Sequence, residues 1–255
     1  MFKRIRIAIL LYVLVFVALG QYLTDRRSTD WRNSLWVDVY AVSGDATADT
    51  QSFIDSLDAD AFAAIEAFFG DQAHSHGVAL EQPVRVRLAG QLEPSLPPLP
   101  RERSMLATIV WSLKMRWFVT RLHWASDAPT PDVTVFAVYQ TSELGAAVDR
   151  STALRKGMIA FANLYAAASA RGSNQMIIAH ELLHTLGATD KYDPLTALPL
   201  FPAGFAEPDL NPLYPQRAAE LMGGRIPLDP ARAVIPDSLA EVEIGPATAF
   251  EIGWR

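Results

Sequence analysis

His180, Glu181 and His184 stand in the pentad His180-Glu181-Leu182-Leu183-His184. Residues i and i+4 of an α-helix share a face one turn apart. Two imidazoles so placed can close on one metal ion, and Glu181 projects toward the same cleft. The chemistry this suits is metal-assisted hydrolysis: the metal activates a water and the carboxylate accepts its proton.

Two histidines leave a zinc ion needing at least one more protein ligand and one open position. The chain has no cysteine, so that ligand must be His, Asp or Glu. Gly187 follows the pentad and lets the chain turn sharply. Asp190 lies six residues past His184, close enough to return to the metal. Glu207 and Glu220 are rival third ligands of the kind carried on a later segment. Neither explains the Gly187 turn, so Asp190 is the expected ligand. Asp193 is a weaker rival that can orient His184 or Lys191.

Extended in this way, His180 to Asp190 reads H-E-x-x-H-x-x-G-x-x-D, with Tyr192 two residues on. This resembles the metzincin metallopeptidases, most closely those of the snapalysin (small neutral protease) type. A second, looser match is Glu220-Leu221-Met222-Gly223-Gly224, similar to their methionine turn. The resemblance implies that His180, His184 and Asp190 bind Zn2+, that Glu181 is the general base, and that Met222 supplies the turn. It implies hydrolysis of a peptide or protein substrate. The chain departs from that type between Asp190 and Met222, where it is longer and proline-rich, and no tyrosine follows the methionine turn.

The pentad needs a helix beneath it. Ser173 or Asn174 can cap one running over Gln175 to Leu186, and Gly187 can end it in a left-handed conformation. Ile177, Ile178, Leu182 and Leu183 make that helix apolar enough to be buried. Upstream, Leu35–Val42, Pro83–Leu88, Asp132–Tyr139 and Gly157–Asn163 read as strands. Asp58–Phe69 reads as a helix ended by Gly70, and Met105–Trp124 as a long helix. That helix carries three tryptophans and scattered basic residues, and core packing is the expected use of its apolar positions. An interfacial role at a headgroup layer is the alternative.

This alternation predicts an α/β fold of metzincin-like plan, with a mixed, mostly parallel sheet and an active-site helix. A loop-rich C-terminal subdomain with the methionine turn should follow. Within it, Gln216–Met222 and Ala247–Trp254 are expected short helices, the latter with Pro246 at its first position. The expected divisions are 1–24 as signal anchor or signal peptide, 25–33 as linker, and 34–255 as metallopeptidase domain. The last splits into 34–190 and 191–255. His74 and His76 are expected in an exposed turn, and His123 in a structural role.

The 255-residue chain is half hydrophobic and carries a net charge of −6. It has no basic tract interleaved with aromatics, so nucleic acid is excluded as a partner class. Lys3, Arg4 and Arg6 precede an uncharged run from Ile7 to Thr24 that is just long enough to cross a bilayer. No good cleavage site follows it, so an uncleaved membrane anchor is favoured over a cleaved signal. Either places the rest of the chain outside the cytoplasm. A non-catalytic, membrane-anchored binding protein with a retained zinc site is the rival function. The presence of Glu181 argues against it, because a purely structural site needs no general base.

Overall fold

The structure is a computed structural model that describes residues 28–93, 96–98, 104–141, 152–154 and 158–254, with isolated positions 6, 11 and 12. Apart from those three positions, the expected anchor at 1–24 lies outside the described residues. Among the described residues, no helix is long and apolar enough to cross a membrane.

In chain order the elements are β1 (Leu35–Ser43), α1 (Ala48–Asp55), α2 (Ala63–Ser75), β2 (Val84–Leu92), α3 (Met105–Trp124), β3 (Val133–Gln140), β4 (Thr152–Leu154), β5 (Ile159–Tyr165) and α4 (Arg171–Leu186). The C-terminal part holds β6 (Ala219–Glu220), β7 (Ile226–Asp229), β8 (Arg232–Val234), β9 (Val242–Glu243) and α5 (Pro246–Glu251).

The five-stranded sheet has the order β2-β1-β3-β5-β4. Its first four strands are mutually parallel, and only β4 runs antiparallel, on the β5 edge. The fold is therefore mixed α/β with a mostly parallel sheet, as the element order predicts. Helices cover both faces. Leu35, Val37, Val39 and Ala41 of β1 join a core that includes Phe69 of α2 and Leu182 of α4. Tyr40 and Val42 face the other way, with Phe136 and Ile159, against Trp111, Met115 and Val119 of α3. A strand buried on both sides must be apolar on both sides, which is why LWVDVYAVS reads as a near-continuous apolar run.

Several boundaries differ from expectation. The helix expected to stop at Gly70 runs through it to Ser75. A side chain at Gly70 would lie 3.2 Å from the Glu81 carbonyl oxygen, so this glycine serves close packing. Helix α4 begins at Arg171, and neither Ser173 nor Asn174 caps it. Asn174 is buried instead and clamps the end of β5: its Oδ1 accepts from the Tyr165 amide at 3.0 Å, and its Nδ2 donates to the Tyr165 carbonyl at 2.8 Å. Gln216–Met222 is not helical, because β6 lies within it and pairs with β9. The last helix ends at Glu251, short of Trp254. The expected exposed turn at His76 is half-buried, with Nε2 2.7 Å from the Ile244 carbonyl oxygen and the ring against Trp254. His123 bridges α3 to the sheet, 3.0 Å from Thr134 Oγ1.

The C-terminal part has little regular structure and is held by side chains. Trp31 Nε1 donates to the Ile252 carbonyl at 2.7 Å, and its ring meets Trp254 edge-on. The first and last described segments are thereby joined under α2 and α4.

Candidate metal centre

His180, Glu181 and His184 lie in the C-terminal half of α4, on the turns nearest the Gly187 break. Their ligand atoms all fall within 4.8 Å of one another, a cluster able to hold a metal ion. The two imidazole rings stand 4.7 Å apart and nearly perpendicular.

Each histidine is oriented by a backbone carbonyl. His180 Nδ1 donates to the Leu221 oxygen at 2.9 Å, and His184 Nδ1 donates to the Ala188 oxygen at 2.9 Å. A carbonyl can only accept, so Nδ1 carries the proton and Nε2 is left with a lone pair. This is the usual way in which a metal-binding histidine has its tautomer set.

Gly187 explains the second of these contacts. It sits at φ 108°, in the left-handed region, and the Ala188 amide turns back to bond the Leu183 carbonyl at 3.0 Å. The turn that releases the chain from the helix therefore also delivers the Ala188 carbonyl to His184.

The chain then brings Asp190 over both rings. Asp190 Oδ1 lies 3.2 Å from His180 Nε2 and 3.1 Å from His184 Nε2. Burial works to raise the Asp190 carboxyl, but its bonds to His180 and His184 outweigh this and hold it well below the ordinary carboxylate range. Burial likewise works to lower His184, and the Asp190 and Ala188 bonds overcome it, so His184 is raised. Two lone-pair nitrogens and a carboxylate oxygen are all acceptors. They converge at such distances only with a proton or a cation between them.

Glu181 is 5% exposed, and its Oε2 has no hydrogen-bond partner among the described residues. Burial pushes its carboxyl up, and the neighbouring histidines only partly oppose this. Buried polar atoms without partners are rare in folded proteins; Trp254 Nε1 is another here, but only Glu181 Oε2 stands beside two converging imidazoles, where a ligand, an ion or a reacting group can meet it.

The rival ligands are occupied elsewhere. Glu207 is ion-paired with Arg217 in the proline-rich segment. Asp193 accepts from the Leu195 and Thr196 amides at 2.8 and 2.9 Å, closing its own turn instead of orienting His184. The Asp193-Pro194-Leu195-Thr196 sequence is an Asx-turn signal that reveals this role in advance. Glu220 is fully buried. Its carboxylate accepts from the Gly223 amide at 2.8 Å, the Gly245 amide at 3.2 Å and Thr248 Oγ1 at 2.5 Å. It shapes the turn that carries Leu221, and so acts on His180 through the Leu221 carbonyl.

Met222 is buried within this turn, and its carbonyl accepts from the Lys191 amide at 2.9 Å. The turn also packs on the loop beyond Asp190: a side chain at Gly223 would lie 2.4 Å from the Gly204 oxygen, and one at Gly204 2.1 Å from the Lys191 oxygen. Backbone stacked this closely admits only glycine. Tyr192 pairs with Pro199 in an isolated bridge, its ring 6.4 Å from that of His180.

Glu251 of α5 is the site residue that sequence reasoning missed. Its carboxylate accepts from the Thr189 amide at 2.9 Å, Thr189 Oγ1 at 2.8 Å and Lys191 Nζ at 2.7 Å. It thus holds the residues on both sides of Asp190. Nothing in the spacing of a glutamate sixty residues downstream announces such a contact.

No protein-family model matches the chain, and no curated protein matches it. Among solved structures it is similar to a catalytically inactive OgpA from Akkermansia muciniphila in complex with an O-glycopeptide (glycodrosocin) substrate. The identity is 13% and the TM-score 0.45, over 84% of this chain and 58% of that one. It is also similar to a chain in the structure of a chaperone–substrate complex, at 14% identity and TM-score 0.39, over 86% of this chain and 34% of that one. The chain thus spans little more than half of the first and a third of the second, and neither likeness is close enough to assign a family or an activity.

Proposed function

We propose that this protein is a zinc-dependent peptidase of metzincin type that acts outside the cytoplasm. The observation that carries the reading is the convergence of two histidine Nε2 lone pairs and the Asp190 carboxylate beside the buried, unpartnered carboxylate of Glu181. A donor set of two imidazoles and one carboxylate, without thiolate, suits zinc with an open position. Zinc held by His180, His184 and Asp190 would polarise a peptide carbonyl and bring the pKa of water toward neutrality.

The chain's own residues supply the proton handling. Glu181 accepts a proton from the attacking water and returns it to the departing amine. The carbonyls of Leu221 and Ala188 keep both rings aimed while this happens. A zinc site kept only as a scaffold has no use for a buried carboxylate without a partner, which favours the peptidase over a non-catalytic binding protein.

The extracytoplasmic placement rests on the uncharged run Ile7 to Thr24 behind Lys3, Arg4 and Arg6. The substrate is a peptide or protein. The test is metal analysis of wild-type protein, Glu181→Gln and Asp190→Ala, with a peptide-library cleavage assay on the same samples. Zinc in the wild type with cleavage abolished in Glu181→Gln is the expected result. Undiminished cleavage by Glu181→Gln would overturn the mechanism.

A further inference from the structure

Helix α3 is apolar on two opposite sides, and the fold covers only one. Trp111, Met115 and Val119 are buried against the sheet. Leu106, Ile109, Val110, Leu113, Trp117 and Trp124 form a second stripe that is exposed, with Trp117 at 59% and Trp124 at 73%. At roughly 100° per residue, the two stripes fall on opposite sides of the helix. An exposed apolar patch of this kind marks an interaction surface.

The charges beside the stripe say what covers it. Lys114 and Arg121 flank it on one side and Arg116 on the other. From Ser104 to Ser126 there is no acidic residue, although the whole chain carries −6. Exposed Trp36 lies on the same side of the sheet, with the guanidinium of Arg85 5.4 Å from its ring centre; Arg87, at 6.0 Å, is ion-paired with Asp38 and adds no free charge. Tryptophan at the edge of an apolar strip, rimmed by basic residues, matches a bilayer surface: acyl chains take the strip and acidic headgroups take the rim.

Trp36 is joined to the segment after α3 by the pair Trp36 N to Asp132 Oδ2 at 3.0 Å and Asp132 N to the Trp36 oxygen at 2.8 Å. The C-terminal end of α3 and the start of β1 therefore lie at the same end of the sheet.

The geometry points to α3 as a lipid-docking helix, its Leu106–Trp124 stripe seated in the headgroup and upper acyl layer of an anionic membrane. The inference stands apart from any hydrolytic activity. The catalytic helix α4 lies on the other face of the sheet, so docking leaves the metal centre turned away from the lipid.

The test uses the full-length protein in vesicles of brominated phosphatidylcholine, with and without phosphatidylglycerol. All six tryptophans lie at position 31 or beyond, so none sits in the apolar N-terminal run and tryptophan quenching reports the folded part alone. Bromine quenching that rises with phosphatidylglycerol and falls by about half or more in Trp117→Phe/Trp124→Phe is expected. Lys114→Glu/Arg121→Glu should remove the phosphatidylglycerol dependence while the circular dichroism stays that of the wild type. Wild-type protein without quenching, because a second copy, another protein or the N-terminal run covers the stripe, overturns the proposal. So does quenching that the double tryptophan variant leaves undiminished.

Discussion

The Lys191 ammonium lies 2.7 Å from the Glu251 carboxylate, and the lysine side chain is only 5% exposed. Asp190 sits between Lys191 and Thr189, which the same carboxylate also holds. Burial works to raise the Glu251 carboxyl, and the Lys191 and Thr189 bonds outweigh it, so its pKa is lowered. A short helix at the far end of the chain thus sets the position of the residue that faces both histidines. Glu251→Ala leaves the buried Lys191 ammonium without its carboxylate, held only by the Thr189 carbonyl, and should cost about 2 kcal/mol of stability. It should also weaken zinc binding by roughly 10–100-fold. Glu251→Gln, which keeps an acceptor for Thr189, should lose less of both. Denaturant unfolding and zinc-buffer titration measure the two effects, and unchanged zinc affinity in Glu251→Ala would show that Asp190 needs no such support.

Glu181→Gln separates base from ligand. The variant should bind zinc as the wild type does and lose about 10²–10⁴-fold in kcat. Loss of zinc would instead make Glu181 a ligand, since its carboxylate belongs to the same cluster as the two rings.

Asp190→Ala should release zinc at chelator concentrations that the wild type withstands, by at least about tenfold in Kd. Glu207→Gln is the control. Glu207 is engaged with Arg217, so its loss should leave zinc affinity alone. Equal retention of zinc by Asp190→Ala and the wild type would move the third ligand elsewhere.

Gly187→Ala forces a side chain into φ 108°. The backbone strain should cost about 1 kcal/mol or more. Because the same turn presents the Ala188 carbonyl to His184, zinc affinity should fall along with the melting temperature. A stability loss with affinity intact would show that His184 is oriented by other means.

Asp45 predicts an acid limb of stability. Burial works to raise its carboxyl, but bonds from the Thr141 hydroxyl and amide, from Thr47 and from Thr50 outweigh it and hold its pKa well below the ordinary range. A group depressed in the folded state stabilises the fold above its unfolded pKa of about 3.9, and that contribution drains away as pH falls toward the folded value. Asp45→Asn should therefore be less stable than wild type at pH 7, with the gap closing as pH falls below about 4. Parallel acid-unfolding curves for the two proteins would rule this out.

Much of the site was legible because it is local. His180, Glu181 and His184 lie within five residues on one helix, and their common face follows from helical periodicity alone. Gly187 and Asp190 were legible for the same reason, as a turn and a short return. The strand Leu35–Ser43 declared itself through apolar residues on both faces. Local rules failed where tertiary contacts overrode them. Gly70 looks like a helix stop, yet α2 runs through it to Ser75, and a side chain there would crowd the Glu81 carbonyl. Glu220 and Met222 look helical, yet Glu220 pairs with β9 as part of β6 and Met222 falls in the turn that follows. Met105–Trp124 is apolar on two opposite sides, and spacing alone does not say which of them the sheet covers.

The sequence by itself determined the helix, the pair of imidazoles on one face, the adjacent carboxylate and the glycine turn, because each follows from backbone geometry over a few residues. Only the tertiary structure decided what aims and holds them: the Leu221 carbonyl on His180, Thr248 on the Glu220 carboxylate beneath the turn, and Glu251 gripping both neighbours of Asp190. Those contacts join residues tens of positions apart. Hydrogen bonds of that kind leave no periodic trace, since they depend on how the C-terminal loops pack on α4 and not on the composition of either partner's own segment.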